Sequence, residues 1–126
     1  FMSIISNSHS ISNNAVNKLG PREIMNWTNI YMNELFNGIT DKYTFNIMEY
    51  IDYCLINNDT NMYKKIGGNA QKISGNRFIH HTSFLWKYDI EMMNKYLLNP
   101  KSQPKYRENR DHNQFLMELS QLFNHD

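Results

Sequence analysis

Lys64 and Lys65 stand side by side ahead of Gly67-Gly68-Asn69-Ala70, and His80 and His81 follow in the aromatic run RFIHHTSFLW. This order places a fixed ammonium beside backbone that carries little side-chain bulk. An anionic group, a phosphate or a carboxylate, is what such a place receives. On a strand, neighbouring side chains point to opposite faces, so only one of the two lysines can serve a site. Lys64 shares a face with Met62 and Ile66, and Lys65 shares one with Tyr63. The alternation leaves the choice between them open. Two solvated surface lysines are the plainer account of the pair taken alone.

The other candidates carry less. Gly67 to Ala70 lacks the spacing and the terminal Gly-Lys of a phosphate-binding P-loop and is no dinucleotide fingerprint. By itself it is an ordinary bulge or turn, though two glycines also permit unusual backbone angles or a close approach by a ligand or a crossing strand. His80 and His81 diverge on a strand, which argues against a shared metal. One ring is expected to pack on the core face with Phe78 and Trp86, the other to look toward the hairpin with Lys65. Asp52, just before the lysine strand, could hold an ion or a nucleotide ring, or could be an exposed hairpin carboxylate. His112 reads as a capping or surface residue. Tyr106-Arg107 and Arg110-Asp111-His112 read as a salt-bridged loop anchor. No Ser-His-Asp order and no paired-carboxylate spacing suggests hydrolysis.

These residues need elements to position them. Residues 1–20, rich in Ser and Asn, read as a flexible lead-in or loop. Pro21 suits the first turn of a helix. Its apolar stripe is Ile24, Trp27, Tyr31 and Leu35, widened by Met25, Met32 and Phe36, with Gly38 past its end. Phe45 to Ile56 fits either a helix or two short strands, with strand favoured over Tyr53 to Ile56. Asn57 to Thr60 is a turn cluster. Strands are expected over Met62–Ile66, Asn69–Ser74 and Arg77–Trp86, with Gly75-Asn76 as a tight hairpin turn and the last strand apolar on both faces and central. Asp89 caps a helix over Ile90, Met93 and Leu97 that Pro100 stops. Residues 99–110 form a polar connection. Asp111 and Gln114 make a capping box for a last helix whose apolar face is Phe115, Leu116, Leu119, Leu122 and Phe123. The pattern is α+β, without internal repeats.

The bulk numbers set limits. A chain of 126 residues holds at most one domain, and 40% apolar with 20% charged residues is ordinary for a globular one. A net charge of +1 gives no electrostatic argument for a nucleic-acid binder. Cys54 is the only cysteine, so neither an internal disulfide nor a thiolate zinc site can form. No apolar run approaches a membrane span, and no signal or transit peptide is visible. The excess of Asn, Ile, Lys and Tyr reflects codon bias in an AT-rich genome. The start at Phe1 suggests part of a longer chain.

From about Pro21 to Phe123 the chain resembles the lipoate–protein ligase branch of the biotin/lipoate ligase superfamily. The resemblance rests on the opening PREIMNW, on KKIGGNAQKISGNRFIHHTSFLW, and on YLLNP followed by PKYRENRDHNQFL, in that order and spacing. It implies a biotin/lipoate ligase-like α+β domain, akin to class II aminoacyl-tRNA synthetases, with a mixed or antiparallel sheet and flanking helices. Residues 21–126 are then the C-terminal portion of that domain. It also implies a two-step acyl transfer: ATP, with Mg2+, activates lipoic acid to lipoyl-adenylate, and a lysine of a lipoyl domain then takes the lipoyl group.

The resemblance places the essential lysine at Lys65 and sets Gly67, Gly68, Asn69 and Ala70 along the acyl-adenylate, with His80 or His81 lining the pocket. Asp52 falls on the acidic position of an Asn-Asp pair that contacts the nucleotide or its magnesium. The implied partners are lipoyl domains of 2-oxoacid dehydrogenase E2 subunits and the glycine-cleavage H protein. The implied compartment is a mitochondrion or plastid-type organelle in a eukaryote, and otherwise the cytoplasm. Nucleic acid and membrane are not expected partners.

Two departures matter: Ile51 stands where the family has Asn, and the Arg-Arg and glycine-triplet loop that cradles acyl chain and phosphates is absent. A C-terminal accessory domain found in some ligases is also missing. The segment alone is therefore expected to be inactive. A transferase using a pre-activated acyl donor and a non-catalytic lipoyl-domain-binding module are the competing readings. Lipoate, octanoate and biotin are not distinguished.

Overall fold

The computed structural model describes residues 2–10, 20–75 and 77–123. Five strands form one sheet in the order β1-β5-β4-β3-β2, every pair antiparallel, with helices packed around it. The strands are β1 (Met2–Ser10), β2 (Tyr43–Met48), β3 (Asp52–Asn57), β4 (Tyr63–Ser74) and β5 (Arg77–Leu85), and the long helix α1 (Pro21–Asn37) lies between β1 and β2 in the chain. This is the expected α+β class. The stretch from Phe45 to Ile56 resolves as two strands joined by a turn in which Glu49 and Tyr50 take left-handed angles.

Pro21 opens α1 as its sequence suggests, but the buried arc differs from the expected stripe. Ile24, Met25, Thr28, Met32 and Phe36 face the sheet, while Trp27, Tyr31 and Leu35 are exposed. The helix is apolar on more than one side, so the sheet decides which arc is covered. Met25, Met32 and Phe36 pack with Phe45, Tyr53, Leu55, Ile66 and Phe84 to form the core. Gly38 closes the helix with right-handed angles, so the left-handed freedom of glycine is not used there.

Three other expectations are overturned. Met2–Ser10, read as lead-in, is a strand paired with β5 from Met2↔Leu85 to Ser10↔Arg77; residues 11–19 lie outside the described residues. A ladder is a backbone property, and a polar edge segment can join one despite poor strand propensity. β4 is one strand running through Gly67-Gly68, neither of which has a positive φ. β5 is flanked on both sides yet alternates: Phe78, His80, Thr82 and Phe84 are buried beneath α1, and Ile79 is exposed. Gly75 turns with φ +59°, and Asn76 lies outside the described residues.

At the C-terminal end, Asp89 caps α2 (Ile90–Tyr96) through the N–H groups of Glu91 and Met92. The helix stops before Leu97, short of Pro100, and buries none of its residues. A 3-10 turn (Lys105–Arg107) follows. The Asp111–Gln114 capping box forms as expected, but α3 is only His112–Phe115 and α4 only Ser120–Phe123. The expected continuous helix is broken because Leu116 bridges Lys65 and the Met117 N–H donates to the Lys65 carbonyl at 2.9 Å. Among the described residues no helix is long and apolar enough to cross a membrane.

Candidate functional site

A register shift between Tyr53 and Cys54 sets Lys65 opposite Cys54, and Asp52 opposite Gly68. Asp52 and Cys54, two residues apart on β3, therefore share with Lys65 the face turned away from α1. The Lys65 ammonium reaches the Asp52 carboxylate, Nζ to Oδ1, at 2.7 Å. The lysine side chain is 32% exposed and that of Asp52 only 7%. The amine thus meets solvent while its counter-charge is held inside.

The other carboxylate oxygen, Oδ2, accepts from the Tyr106 hydroxyl at 2.7 Å, and the Cys54 thiol donates to that hydroxyl oxygen at 3.3 Å. Burial pushes the Cys54 thiol up to about 12, offset in part by the bond to Tyr106. Burial, reinforced by the contacts with Cys54 and Asp52, pushes the Tyr106 phenol well above its ordinary value. Both groups keep their protons, so every hydrogen bond in this cluster runs toward the carboxylate.

Neighbouring segments fix the backbone around Lys65. Arg110 donates from Nη1 to the Tyr63 carbonyl at 2.6 Å and from Nη2 to the Tyr106 carbonyl at 3.0 Å. Arg107, buried, donates to the Arg110 carbonyl and to the Asn99 side chain. Both guanidinium groups lie over the Phe115 ring, 4.6 Å from its centroid for Arg107 and 5.5 Å for Arg110. The cluster is the expected anchor, but among the described residues carbonyls, an amide and a ring hold it in place of the expected salt bridges. His112 is neither cap nor surface residue: its buried Nε2–H donates to the Leu97 carbonyl at 2.7 Å.

The glycines divide the work. A Cβ on Gly67 would stand 2.2 Å from the Ser83 carbonyl oxygen, so it is β5 that comes close there. A Cβ on Gly68 would meet nothing within 4 Å. The open ground beside Asp52 therefore lies over Gly68. Asn69 donates its amide to the Ile51 carbonyl and steadies the turn before Asp52. Ala70 and Asn69 border a cleft of about 390 Å³ whose far wall is Pro21, Arg22, Tyr50 and Ile51.

The histidines diverge as expected. His81 is opposite Ala70 and, by alternation, on the face of Gly68 and Asp52. His80 is buried on the α1 face, its Nε2 2.9 Å from the Tyr53 hydroxyl and 3.2 Å from that of Thr28. Its place there is in the core, away from Lys65. Burial, then the charge of His81, lowers its pKa below the ordinary 6.5. Trp86, expected on the core face with it, is 42% exposed and stacked on Phe123. Lys64, expected to be solvated, is half-buried beside Tyr43, Leu55 and Met62.

Asp52 was the candidate magnesium ligand. Both of its oxygens are engaged, and no group of three His, Cys, Asp or Glu side chains able to hold a metal ion occurs among the described residues. This donor set does not by itself make a resident metal site. The sequence presents Tyr106 only within the Tyr106-Arg107 loop anchor, not as a site residue. Its contact with Asp52 spans 54 residues, and no local pattern reports that.

Residues 25–126 match the family described as the lipoyl protein ligase A/B catalytic domain. The chain is 39% identical over 102 residues to a protein of Plasmodium falciparum (isolate 3D7) named "Inactive lipoate--protein ligase 2". That match covers 81% of this chain and 25% of the relative, so the chain spans about a quarter of the relative's length.

Proposed function

This chain belongs to the lipoyl protein ligase A/B catalytic-domain family, and on that premise we propose that it carries the lysine-bearing part of a lipoate–protein ligase site. The activity is ATP-dependent formation of lipoyl-adenylate, followed by transfer of the lipoyl group to a lysine of lipoyl domains. The acceptors are the E2 subunits of 2-oxoacid dehydrogenases and the glycine-cleavage H protein.

The observation that supports this reading most is the Lys65–Asp52 pair at 2.7 Å beside Gly68, where added bulk meets nothing. A mixed anhydride lying over Gly68 would have the Lys65 ammonium beside its carboxyl oxygen and α-phosphate. Negative charge grows on the phosphate side as either step proceeds, and a pre-positioned cation stabilises it with little reorganisation. Asp52 keeps that cation localised. Ala70 and His81 continue the same face along β4 and β5. Magnesium would accompany ATP as its counter-ion, while Asp52 is engaged by Lys65 and Tyr106.

In the full-length protein, Lys65→Ala is expected to lower lipoate-dependent pyrophosphate release on the order of 100-fold or more, as removal of an oxyanion-stabilising donor does. Unchanged adenylate formation would overturn the role of Lys65.

A second reading is favoured by a specific observation. The P. falciparum relative carries the word "inactive" in its name, and Ile51 stands where the resembled ligases have Asn. On this reading the fold holds lipoyl domains without activating lipoate. Transfer from synthetic lipoyl-adenylate separates the two: a protein that binds the acceptor but does not transfer is a binding module. One that transfers without releasing pyrophosphate from ATP is a transferase using a pre-activated donor.

A further inference from the structure

We propose that Tyr106 is a positioning residue that sets the direction of the Lys65 ammonium through Asp52, with the segment from Lys105 to Met117 as its mount. The inference rests on Lys65 being the working amine and extends it to a residue far along the chain.

The geometry is a chain of donors with one sense. The Cys54 thiol gives its hydrogen to the Tyr106 oxygen, the Tyr106 hydroxyl gives its own to Asp52 Oδ2, and the Lys65 ammonium gives one to Asp52 Oδ1. The phenol on Oδ2 holds the carboxylate against rotation while the cation takes Oδ1. Tyr106 thereby fixes the side of Asp52 from which the amine projects. A free carboxylate would rotate and follow the amine.

The phenol is itself immobilised. Its ring packs on Phe115 at 5.3 Å between centroids, and its N–H donates to the Glu49 carboxylate at 3.2 Å. Its carbonyl accepts from Arg110, whose guanidinium also holds the Tyr63 carbonyl two residues before Lys65. Met117 ties the Lys65 carbonyl from the far end of the same segment. One stretch of chain thus grips the lysine backbone and its counter-ion at once. The phenol ends on the buried carboxylate that pairs with Lys65.

The test compares wild type with Tyr106→Phe in the full-length protein, which deletes the hydroxyl and keeps the ring. Lys65 and Lys64 are labelled with an amine-reactive acetylating reagent and quantified by peptide mass spectrometry, with Lys64 as the internal standard on the opposite face. The expected result is a Lys65-to-Lys64 labelling ratio changed at least about threefold, with acceptor KM unaltered and turnover from lipoyl-adenylate reduced about tenfold. A folded Tyr106→Phe protein with an unchanged ratio overturns the proposal, because loosening of the fold alone moves both lysines together.

Absence of turnover in wild type counts against the ligase reading and leaves the labelling ratio to decide the positioning role. If Tyr106→Phe does not fold, 3-fluorotyrosine at position 106 replaces it. This stronger donor should shift the same ratio in the opposite direction, and no shift overturns the proposal.

Discussion

At the scale of single residues, two adjacent glycines make opposite demands. Gly67→Ala forces a methyl group to 2.2 Å from the Ser83 carbonyl, so β4 and β5 must separate. A loss of about 1–3 kcal/mol is expected, as for overpacked sites, read from the urea midpoint. Gly68→Ala adds its methyl group into open space. Its stability should stay within about 0.5 kcal/mol of wild type, while lipoyl transfer falls because the methyl group occupies ground needed by the acyl-adenylate. Stability loss in Gly68→Ala, or full activity, would contradict the placement of substrate there. Much of this was not legible in the sequence. A Gly-Gly pair signals that something comes close; whether it is a strand or a ligand is settled by the register. Alternation leaves Lys64 and Lys65 open and only the family resemblance chooses Lys65; the shift at Tyr53–Cys54 that sets Lys65 opposite Cys54 is not revealed by composition. The divergence of His80 and His81 was legible, because alternation along a strand is purely local.

The element that matters most is the segment from Lys105 to Met117. Its helical turns are short, and its cohesion comes from guanidinium groups that saturate carbonyls and cover Phe115. Arg107→Ala removes donors to the Arg110 carbonyl and the Asn99 side chain together with a ring contact. About 2–4 kcal/mol of destabilisation is expected, measured by chemical denaturation. Arg107→Lys should recover little of it, since an ammonium cannot reproduce the planar fork. The caps in this region were readable, Asp89 and the Asp111–Gln114 box alike, because capping is chemistry between near neighbours. The length of the last helix was not, since Leu116 and Met117 leave it to join Lys65. The outward turn of Trp27 and Tyr31 on α1 escaped the sequence for a related reason: a helix apolar on several sides does not announce which side a sheet will cover.

For the whole molecule, the core under α1 contains a histidine that folding holds neutral. As pH falls below about 6.5, the unfolded chain takes up this proton before the folded one does. The unfolded state then binds more protons, and stability declines until folded His80 is protonated as well. The midpoint of thermal unfolding should therefore be lower at pH 5 than at pH 7.5, with the difference reduced in His80→Gln. An identical pH dependence in the two proteins would remove His80 as its cause. The α+β class was legible from the alternation of helix and strand signals, whereas the edge strand Met2–Ser10 was hidden by its Ser and Asn content. Finally, Asp52 and Lys65 sit on adjacent strands of one hairpin, while the Tyr106 hydroxyl returns from 54 residues away. Short loops close at lower entropic cost than long ones. During synthesis the hairpin can neutralise its amine before the phenol has emerged to aim it, so the order of assembly runs from charge to direction.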